Sequence, residues 1–482
     1  MCHRKGTCDF RTIEKAVKKA RAGDTVRVRK GTYHEAVMVS GAKKRYLRLL
    51  GDVKHPKRVV LDGDNKKANG VFVSGADQVT VRGFKARDYK SNGFFVVNAT
   101  GYTLRNLIAQ HTGVYGLYAF NTKGGLMADS EAYYLNAGAF YIGQTPPQAK
   151  PRRSIVRNVS GHSSAIGFSA TNMRYVTITK SRFYDNALGV VPNALDSEKY
   201  PPPEDNVITD NDIFWNNFDF HKGAPFTVRE SGTAALAPVG TGVLLLGGRG
   251  NRVEGNRIFG NYLAGVGAID GILVSKHPDA IELQRNTVRD NSFGRGGRDL
   301  NGRDVIYDGS GTGNCFGPNT VLSPSPDTAP LQPCPFGDKN AFDQAARDRM
   351  LSWIGESALN GWIKHPHAKK KGVKPLEIWK GKPRAAAAST RRKTVHIGDN
   401  YFTPHSLKVR KGTRVTWKWP GFDSAGDVHD VKLKSRPKGA KRFHSEPQSA
   451  DYRYTRKLTV PGTYRIVCTL HEDMRMKIVV RK

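Results

Sequence analysis

The stretches SNGFFVVNATGYTLRNL (residues 91–107) and GVYGLYAFNTKGGLMADS (residues 113–130) share one pattern: a glycine opens a short apolar strand and polar turn residues close it. The opening glycines are Gly93, Gly116, Gly138, Gly167 and Gly189. Their spacings are 23, 22, 29 and 22 residues, and the long interval contains a loop-like insertion, QTPPQAKPRR. Short strands at this period predict a β-solenoid in which each repeat forms one rung.

Asparagine marks the turns of the later repeats. The residues concerned are Asn206, Asn211, Asn216, Asn251, Asn256, Asn261, Asn286 and Asn291, each five positions from the next within its own repeat. Asparagine tolerates left-handed backbone and hydrogen-bonds within its own turn. We therefore interpret these residues as turn formers rather than ligand-binding groups. We also expect equivalent side chains of stacked rungs to bond to one another.

Residues 8–320 resemble the right-handed parallel β-helix repeat proteins, a superfamily that includes pectate lyases, polygalacturonases and non-catalytic members. The segment CDFRTIEKAVKKARAGDTVRVRKGTYHEAV (residues 8–37) resembles the N-terminal cap of that superfamily. It places Phe10, Ile13, Val17 and Ala20 on one helical face, which would cover the open end of the core.

The residues of the solenoid do not decide whether it has an enzymatic activity. The resemblance implies clustered aspartates with Gly-His-Gly and Arg-x-Lys in hydrolases, or a basic residue beside calcium-binding aspartates in lyases. Here Gly161-His162 lacks the second glycine. The aspartates considered, Asp88, Asp185, Asp270 and Asp279, are scattered. General acid–base catalysis needs two groups near one bond, so we expect single aspartates on rungs to be turn residues.

The sequence pattern changes at residue 394, where short stretches of alternating apolar and polar residues predict the strands of a small β-sandwich. Near its end, CTLHEDM (residues 468–474) places Cys468, His471 and Met474 three residues apart. His429, in the preceding segment, offers a second imidazole. A thiolate and two imidazoles in one plane, with a long axial thioether, form the blue-copper arrangement.

These residues resemble the plastocyanin-like cupredoxins, and the amicyanin type in particular, which has Cys-x-x-His-x-x-Met. VHDV (residues 428–431) falls at the position of the first ligand in that family. The resemblance implies one type 1 copper bound by His429, Cys468, His471 and Met474. Met476 is the alternative axial ligand, although strand alternation places it in the core. Zinc is the alternative metal, but zinc sites favour cysteine, histidine and carboxylate ligands.

Three departures from the family pattern bear on potential and partner choice. Asp430 stands where the family usually has asparagine, and Leu470 stands where proline is common. Glu472 and Asp473 lie on a rim that is often apolar in the family. We expect Asp430 to alter the hydrogen bonds near the cysteine sulfur.

The cysteines fall into two local pairs and one single residue. The sequence predicts disulfides between Cys2 and Cys8 and between Cys315 and Cys334, and leaves Cys468 as a ligand. Disulfides indicate an extracellular, periplasmic or cell-surface location. The N-terminal residues show no apolar signal, so a cytosolic protein with five free thiols is the alternative. No run of 18 apolar residues exists, and we expect no transmembrane segment.

The charge is strongly basic and unevenly spread. The chain has 77 basic and 42 acidic residues, a net charge of +35, and residues 362–482 contribute 30 of the basic and 9 of the acidic residues. Such a surface attracts polyanions. An anionic polysaccharide or cell-surface polymer is the expected partner, and a solubilising charge without a specific partner is the alternative. Nucleic acid is not expected, because no zinc-finger spacing or aromatic RNA-binding signature is present.

The predicted organisation is all-β. Residues 1–340 form the right-handed parallel β-helix with its cap, residues 341–393 a helical segment and basic linker, and residues 394–482 a Greek-key cupredoxin. The predicted function is one-electron transfer by an exported copper protein, with a redox partner protein and with the β-helix as a polymer-binding scaffold. The alternatives are a polysaccharide lyase or hydrolase with an accessory copper domain, and a non-redox copper-binding structural or adhesion protein.

Overall fold

The structure is a computed structural model in which the chain divides into two compact units, Met1–Leu376 and Glu377–Lys482. It describes residues 9–194, 198–217, 238–271, 281–295, 299–320, 328–360, 392–398, 401–419, 429–445, 452–469 and 474–481. Strands dominate this described part of the chain, and none of its helices is long and apolar enough to cross a membrane. The predicted all-β fold class is confirmed.

The first unit contains two long parallel sheets. Sheet 1 consists of β1 (Thr25–Arg27), β2 (Gly31–Tyr33), β4 (Arg48–Leu50), β5 (Val59–Asp62), β7 (Val79–Arg87), β9 (Tyr102–Thr112), β11 (Gly125–Leu135), β13 (Ser154–His162), β15 (Val176–Thr179), β16 (Arg182–Tyr184), β18 (Val207–Thr209), β19 (Asp212–Phe214), β22 (Arg252–Glu254), β23 (Arg257–Phe259), β26 (Thr287–Arg289), β27 (Ser292–Phe293) and β29 (Cys315–Phe316). Sheet 2 consists of β3 (Val37–Ser40), β6 (Asn69–Ser74), β8 (Asn92–Val97), β10 (Tyr115–Phe120), β12 (Gly138–Gly143), β14 (Ile166–Thr171), β17 (Leu188–Asn193), β20 (Thr241–Leu246), β24 (Ala264–Ile269) and β28 (Val305–Tyr307). A separate short pair consists of β21 (Gly248–Arg249) and β25 (Leu283–Gln284).

Successive strands of sheet 2 pair in register, one turn of the chain apart. Phe94 of β8 pairs with Leu117 of β10, which in turn pairs with Phe140 of β12. All three side chains are buried in one continuous apolar core. The neighbouring side chains along each strand point away from that core, as the pleat requires. The first unit is therefore a parallel β-helix, as the repeat predicted.

Glycine opens the rungs because the next rung passes too close for a side chain. A Cβ at Gly93 would lie 2.8 Å from the carbonyl oxygen of Gly116. A Cβ at Gly116 would lie 2.6 Å from the carbonyl oxygen of Ala139. Both distances are shorter than real Cβ contacts. These positions therefore require glycine, because the backbones of adjacent rungs stack closely there.

Asparagine ladders run along the turns of the β-helix. They consist of Asn206, Asn251, Asn286, Asn314 and Asn340; of Asn211, Asn256, Asn291 and Asn319; and of Asn186, Asn216, Asn261 and Asn301. Except in the last member of each ladder, the Nδ2 donates to the Oδ1 of the next rung at 2.8–3.2 Å. Each Oδ1 also accepts a backbone N–H, as Asn256 does from Asn211 at 3.1 Å. The expected bonding between stacked asparagines is confirmed.

Helix α1 (Ile13–Lys19) covers the N-terminal end of the core. The hydroxyl of Thr12 caps it by accepting from the backbone N–H of Lys15, and Ile13 and Val17 are buried. The helix is shorter than the predicted amphipathic segment. Phe10 precedes it and is 42% exposed, so this residue does not join the buried face as predicted. Two single 3₁₀ turns follow, Ala42–Lys44 and Pro56–Arg58.

Helix α2 (Gln344–Asn360) packs on β28 and belongs to the first unit. Ala346 and Met350 are buried in the core. The Arg347 guanidinium bonds to Asp270 at 2.5 Å and to Asp308 at 2.8 Å. Most of the basic linker that follows lies outside the described residues.

One disulfide closes the Pro-rich loop near the end of the β-helix. Cys315 and Cys334 are bonded, with their Cα atoms 4.9 Å apart. Cys468 is buried and is not part of a disulfide. Cys2 and Cys8 lie outside the described residues, so their pairing stays a prediction.

The second unit is a two-sheet sandwich. Sheet 3 consists of β31 (Tyr401–Thr403), β30 (Arg392–Gly398), β33 (Thr413–Lys418) and β35 (Arg453–Leu458). Sheet 4 consists of β32 (Ser406–Arg410), β37 (Arg475–Arg481), β36 (Gly462–Val467) and β34 (Lys432–Ser435). The β30–β33 and β32–β37 pairs are parallel, and the other pairs are antiparallel. Alternate apolar side chains fill the space between the sheets, and the largest fully buried ones are Trp417, Trp419 and Tyr464.

The asparagine ladders generate a stability prediction. Asn256→Ala removes a buried amide that donates to Ile208 and Asn291, and it leaves the backbone N–H of Asn211 without its acceptor. We expect a loss of about 3 kcal/mol, because unsatisfied buried groups cost about 1–3 kcal/mol each. The measurement is denaturant unfolding. Asn193→Ala is the control: this half-buried residue has one 3.5 Å contact from Thr171, and its loss should be under about 1 kcal/mol. Equal losses in the two variants would refute a role for the ladder.

Candidate metal centre

Three of the predicted ligands lie at one end of the second unit. Cys468 directly follows β36, Met474 directly precedes β37, and His429 lies three residues before β34. All three are at least 96% buried. The Cys468 Sγ atom lies 3.9 Å from the His429 Nδ1 atom. His471 lies outside the described residues, so its ligand role stays a prediction.

The pairing of β36 with β37 positions the cysteine and the methionine. Val467 pairs with Arg475, so the residues that follow and precede this pair face each other across one loop. The backbone N–H of Cys468 donates to the carbonyl oxygen of Met474 at 3.0 Å and closes the loop. The two sulfur residues, which are close in the sequence, therefore also lie close together in space.

Met476 has a different environment. It lies within β37, where it pairs with Ile466, although it shares the sandwich core with Met474. The indole Nε1–H of Trp417 donates to its sulfur, with the heavy atoms 3.4 Å apart. Met474, rather than Met476, thus lies at the loop that carries Cys468, which favours Met474 as the axial ligand.

Asp430 ties the two ligand segments together. Its carboxylate is buried and accepts from the backbone N–H of Thr469 at 2.6 Å and from the hydroxyl of the same residue. Its backbone N–H donates to Cys468 Sγ at 3.5 Å. The residue that replaces the usual asparagine therefore still joins the loops, but it brings a carboxylate close to the thiol.

His444 is a further member of this network. Its Nε2 atom lies 2.6 Å from Asp430 Oδ2, and its side chain is 46% exposed. Sequence reasoning missed this residue, because it lies fourteen positions from Asp430 in a loop with no recognisable motif. The contact between the two becomes visible only when the loop folds against the start of β34, where Lys432 and His444 form a bridge.

The segment around His429 is fixed by backbone contacts. The Trp419 indole N–H donates to the His429 carbonyl oxygen at 3.2 Å. The backbone N–H of Val431 donates to the Ser445 hydroxyl at 2.9 Å. A buried thiol, an imidazole and a thioether held in this way form a donor set that suits copper, because soft sulfur ligands favour Cu(I) and imidazole suits Cu(II).

The β-helix residues considered as catalytic candidates have structural surroundings. His162 is buried in a stack between Tyr133 and Tyr184. Asp88 bonds to His111 at 2.6 Å, and Asp270 bonds to Arg347. Asp185 has φ +54°, as a turn residue does, and Asp279 lies outside the described residues. The structure does not bring the described members of this set together into a site.

Such a sandwich, with a Cys-x-x-His-x-x-Met loop beside a buried histidine, defines the second unit as a cupredoxin. Residues 390–481 match the family of copper binding proteins, plastocyanin/azurin family, and residues 152–319 match a right handed beta helix region. Amicyanin-alpha from Methylorubrum extorquens is 31% identical over 96 residues, which are 20% of this chain and 75% of that protein. Through its second unit, the chain belongs to the plastocyanin/azurin family.

Three solved structures match parts of the chain. A reduced Cu(I) amicyanin variant is 27% identical, with 20% of this chain and 88% of that chain covered and a TM-score of 0.17. A Cu-containing nitrite reductase from Thermus scotoductus is 25% identical over 21% of this chain, with a TM-score of 0.18, and the match spans only 24% of that chain. The A-module of the mannuronan C-5 epimerase AlgE6 from Azotobacter vinelandii is 16% identical, with coverage of 64% and 89% and a TM-score of 0.43.

The Asp430 network generates a prediction about potential. Asp430→Asn should keep the contact to the Thr469 N–H but remove a negative charge near the thiolate. We expect the copper potential to rise by about 60 mV, which is a tenfold change in a one-electron equilibrium. Protein-film voltammetry of the copper-loaded protein measures it.

His444→Gln is the matched control, because it changes the outer partner and keeps the carboxylate. Its effect on the potential should be smaller than that of Asp430→Asn. An unchanged or lower potential in the Asp430 variant would contradict an electrostatic role for this carboxylate.

Proposed function

We propose that the protein is an exported one-electron carrier with a single type 1 copper, held by His429, Cys468, His471 and Met474, and that its β-helix is a scaffold for an anionic polymer. The observation that carries the proposal is the 3.9 Å approach of Cys468 Sγ to His429 Nδ1 in a buried setting, with Met474 on the same loop. A copper ion in such a set supplies reversible exchange between Cu(I) and Cu(II).

The protein's own residues account for how the centre would work. The buried thiol and imidazole are preorganised and shielded from water, so a change of charge would require little rearrangement. Asp430 fixes the geometry between the two ligand segments through Thr469. His471, on the loop between Cys468 and Met474, is the expected exit for the electron toward a redox partner protein. The acidic neighbours Glu472 and Asp473 would favour a partner with a positive contact patch.

Ligand variants test the proposal. Copper(II) added to the intact protein should give an intense blue colour, and Cys468→Ser should abolish it, because oxygen is a harder and less covalent ligand. Met474→Leu should keep the colour and raise the potential, since loss of a weak axial ligand favours Cu(I). Absorption spectra and voltammetry measure both effects.

Met476→Leu is the matched control, a methionine two residues away with its sulfur in the core. It should leave the potential nearly unchanged. A shift with Met476→Leu and none with Met474→Leu would reverse the axial assignment, and a blue Cys468→Ser protein would refute the centre.

One observation favours a second candidate, an enzyme that acts on a polysaccharide. On the outer face of sheet 2, the Tyr141 hydroxyl bonds to both carboxyl oxygens of Glu198 at 2.8 and 2.9 Å. Tyr115 and Tyr118 pack beside Tyr141, with ring centroids 4.6 and 4.8 Å away. Burial raises the pKa of Glu198 to about 7, which suits a carboxyl that acts as an acid near neutral pH.

Glu198 also predicts a pH dependence of stability. Its pKa is about 7 in the folded protein and about 4.5 in the unfolded chain, so the folded state binds more protons between these values. The carboxyl should therefore destabilise the fold progressively as the pH rises from about 4.5 to about 7. Glu198→Gln should flatten this part of the profile, measured as thermal midpoint against pH.

Glu282→Gln, an acid-to-amide change elsewhere on the β-helix, is the control and should leave the profile unchanged. An unchanged profile for Glu198→Gln would show that the carboxyl ionises normally. Release of unsaturated sugars or reducing ends from pectate, lost in Glu198→Gln, would support the enzymatic candidate, and no release by the intact protein would count against it.

A further inference from the structure

The strands of the copper domain have an unusual charge distribution. None of the eight strands β30–β37 contains an aspartate or a glutamate. Among the described residues of 392–481, Asp430 is the one acidic side chain, and it is buried and bonded to Thr469 and His444. The strands of the sandwich therefore carry no carboxylate of their own beside their basic side chains.

Sheet 4 presents a continuous cationic face, which we define as the outward side chains Lys408 and Arg410 of β32, Lys432 and Lys434 of β34, Arg465 of β36, and Arg475, Lys477 and Arg481 of β37. All of them are exposed. They alternate with buried apolar residues, so the pleat directs them to one side. The remaining outward residues of this face are serine, threonine and valine.

The register brings like charges directly opposite one another. Arg465 pairs with Lys477 between β36 and β37, and Arg410 pairs with Arg481 between β32 and β37. Like charges in such positions destabilise a sheet. A polyanion laid across the face would remove this repulsion, because its charges would lie between the cations.

Basic residues of the β-helix have acidic partners on its rungs. Its rungs pair arginine with acid, as in Arg87 with Asp62 at 2.7 Å, Arg105 with Asp129 at 2.5 Å, and Arg257 with Asp212 at 2.6 Å. These pairs neutralise part of the charge of the β-helix, whereas the strands of the sandwich contain no acid.

We propose that the cationic face of sheet 4 is a binding surface for a linear polyuronate, so that the copper domain itself holds the polymer. This inference rests on the anionic-polymer part of the proposed function and adds a contact on the sandwich to the proposed contact on the β-helix. The face spans four residue rows, roughly 20 Å at the usual rise of a strand, and each row contains at least one cation. A flexible chain of regularly spaced carboxylates matches such a flat array.

The composition of the face favours a polysaccharide over other polyanions. It has no aromatic side chain on which bases of single-stranded nucleic acid would stack. A four-stranded sheet is broader than the helix or two-stranded ribbon that the major groove of a duplex admits. It also has no exposed large apolar side chain of the kind that anchors proteins at a lipid surface.

The opposite sheet provides a matched control. Sheet 3 also contains exposed cations, including the directly opposed pair Arg414 and Lys457. A neutral row of Thr394, Thr416 and Thr455 divides its face, and the hydroxyls of Thr416 and Thr455 lie 2.8 Å apart. Equal numbers of charges can thus be removed from either sheet without disturbing the core.

The experiment measures binding of sodium polygalacturonate to the full chain. The face variant is Lys408→Gln/Arg465→Gln/Lys477→Gln, and the control is Arg414→Gln/Arg453→Gln/Lys457→Gln. We expect the face variant to bind about tenfold more weakly. The slope of log affinity against log salt concentration should decrease by an amount that corresponds to about two released counterions. The control should change the affinity by less than about threefold. Both variants should unfold at or above the parent temperature, because each loses a like-charge pair.

Each other outcome is decisive. Equal weakening in both variants would overturn the face assignment in favour of diffuse charge. Tighter, face-dependent binding of a thymidine oligonucleotide or of anionic phospholipid vesicles at the same salt would overturn the choice of a polysaccharide. Binding by the parent that neither variant weakens would place the polymer elsewhere and leave the proposed scaffold role intact. No binding by the parent would refute both the face and that scaffold role, while the copper assignment would stand on its own tests.

Discussion

Both units depend on the same constraint: polar backbone groups removed from water must find hydrogen-bonding partners. In the β-helix, parallel pairing between rungs meets this need along the strands, and stacked asparagines meet it at many of the turns. The asparagine amide suits this role because it has both a donor and an acceptor and so repeats identically from rung to rung. The apolar core can then continue through the stack, because the ladders pair the backbone groups at these turns.

The second unit meets the same constraint on a smaller scale and uses the result to hold sulfur and nitrogen donors. The β36–β37 pair fixes Cys468 and Met474 at the ends of a short loop. Contacts from Trp419 and Ser445 hold the segment of His429. Because the strands restrain the donors, the geometry of the candidate centre is a property of the sandwich.

The two units differ in how their charged residues are distributed. Several arginines of the β-helix pair with acids on neighbouring rungs, whereas every Asp, Glu, Lys or Arg side chain on the strands of the sandwich is basic. Among the described residues of the sandwich, buried Asp430 is the one acid, and it lies where a charge would act on the thiolate of Cys468. In this described part, the copper domain therefore combines basic strands with one internal carboxylate.

Local patterns in the sequence were enough to predict the solenoid, the sandwich and the three-residue spacing of Cys468, His471 and Met474, because these depend on strand period and on residues within one loop. Contacts between distant segments were not predictable in the same way. The hydrogen bonds of His444 to Asp430 and of Tyr141 to Glu198, and the packing of α2 on the β-helix, join residues whose separation follows no period. The environment of Met476 likewise became clear only when Trp417 was placed beside it. Periodicity specifies which elements form, whereas the packing of one element on another decides which side chains meet.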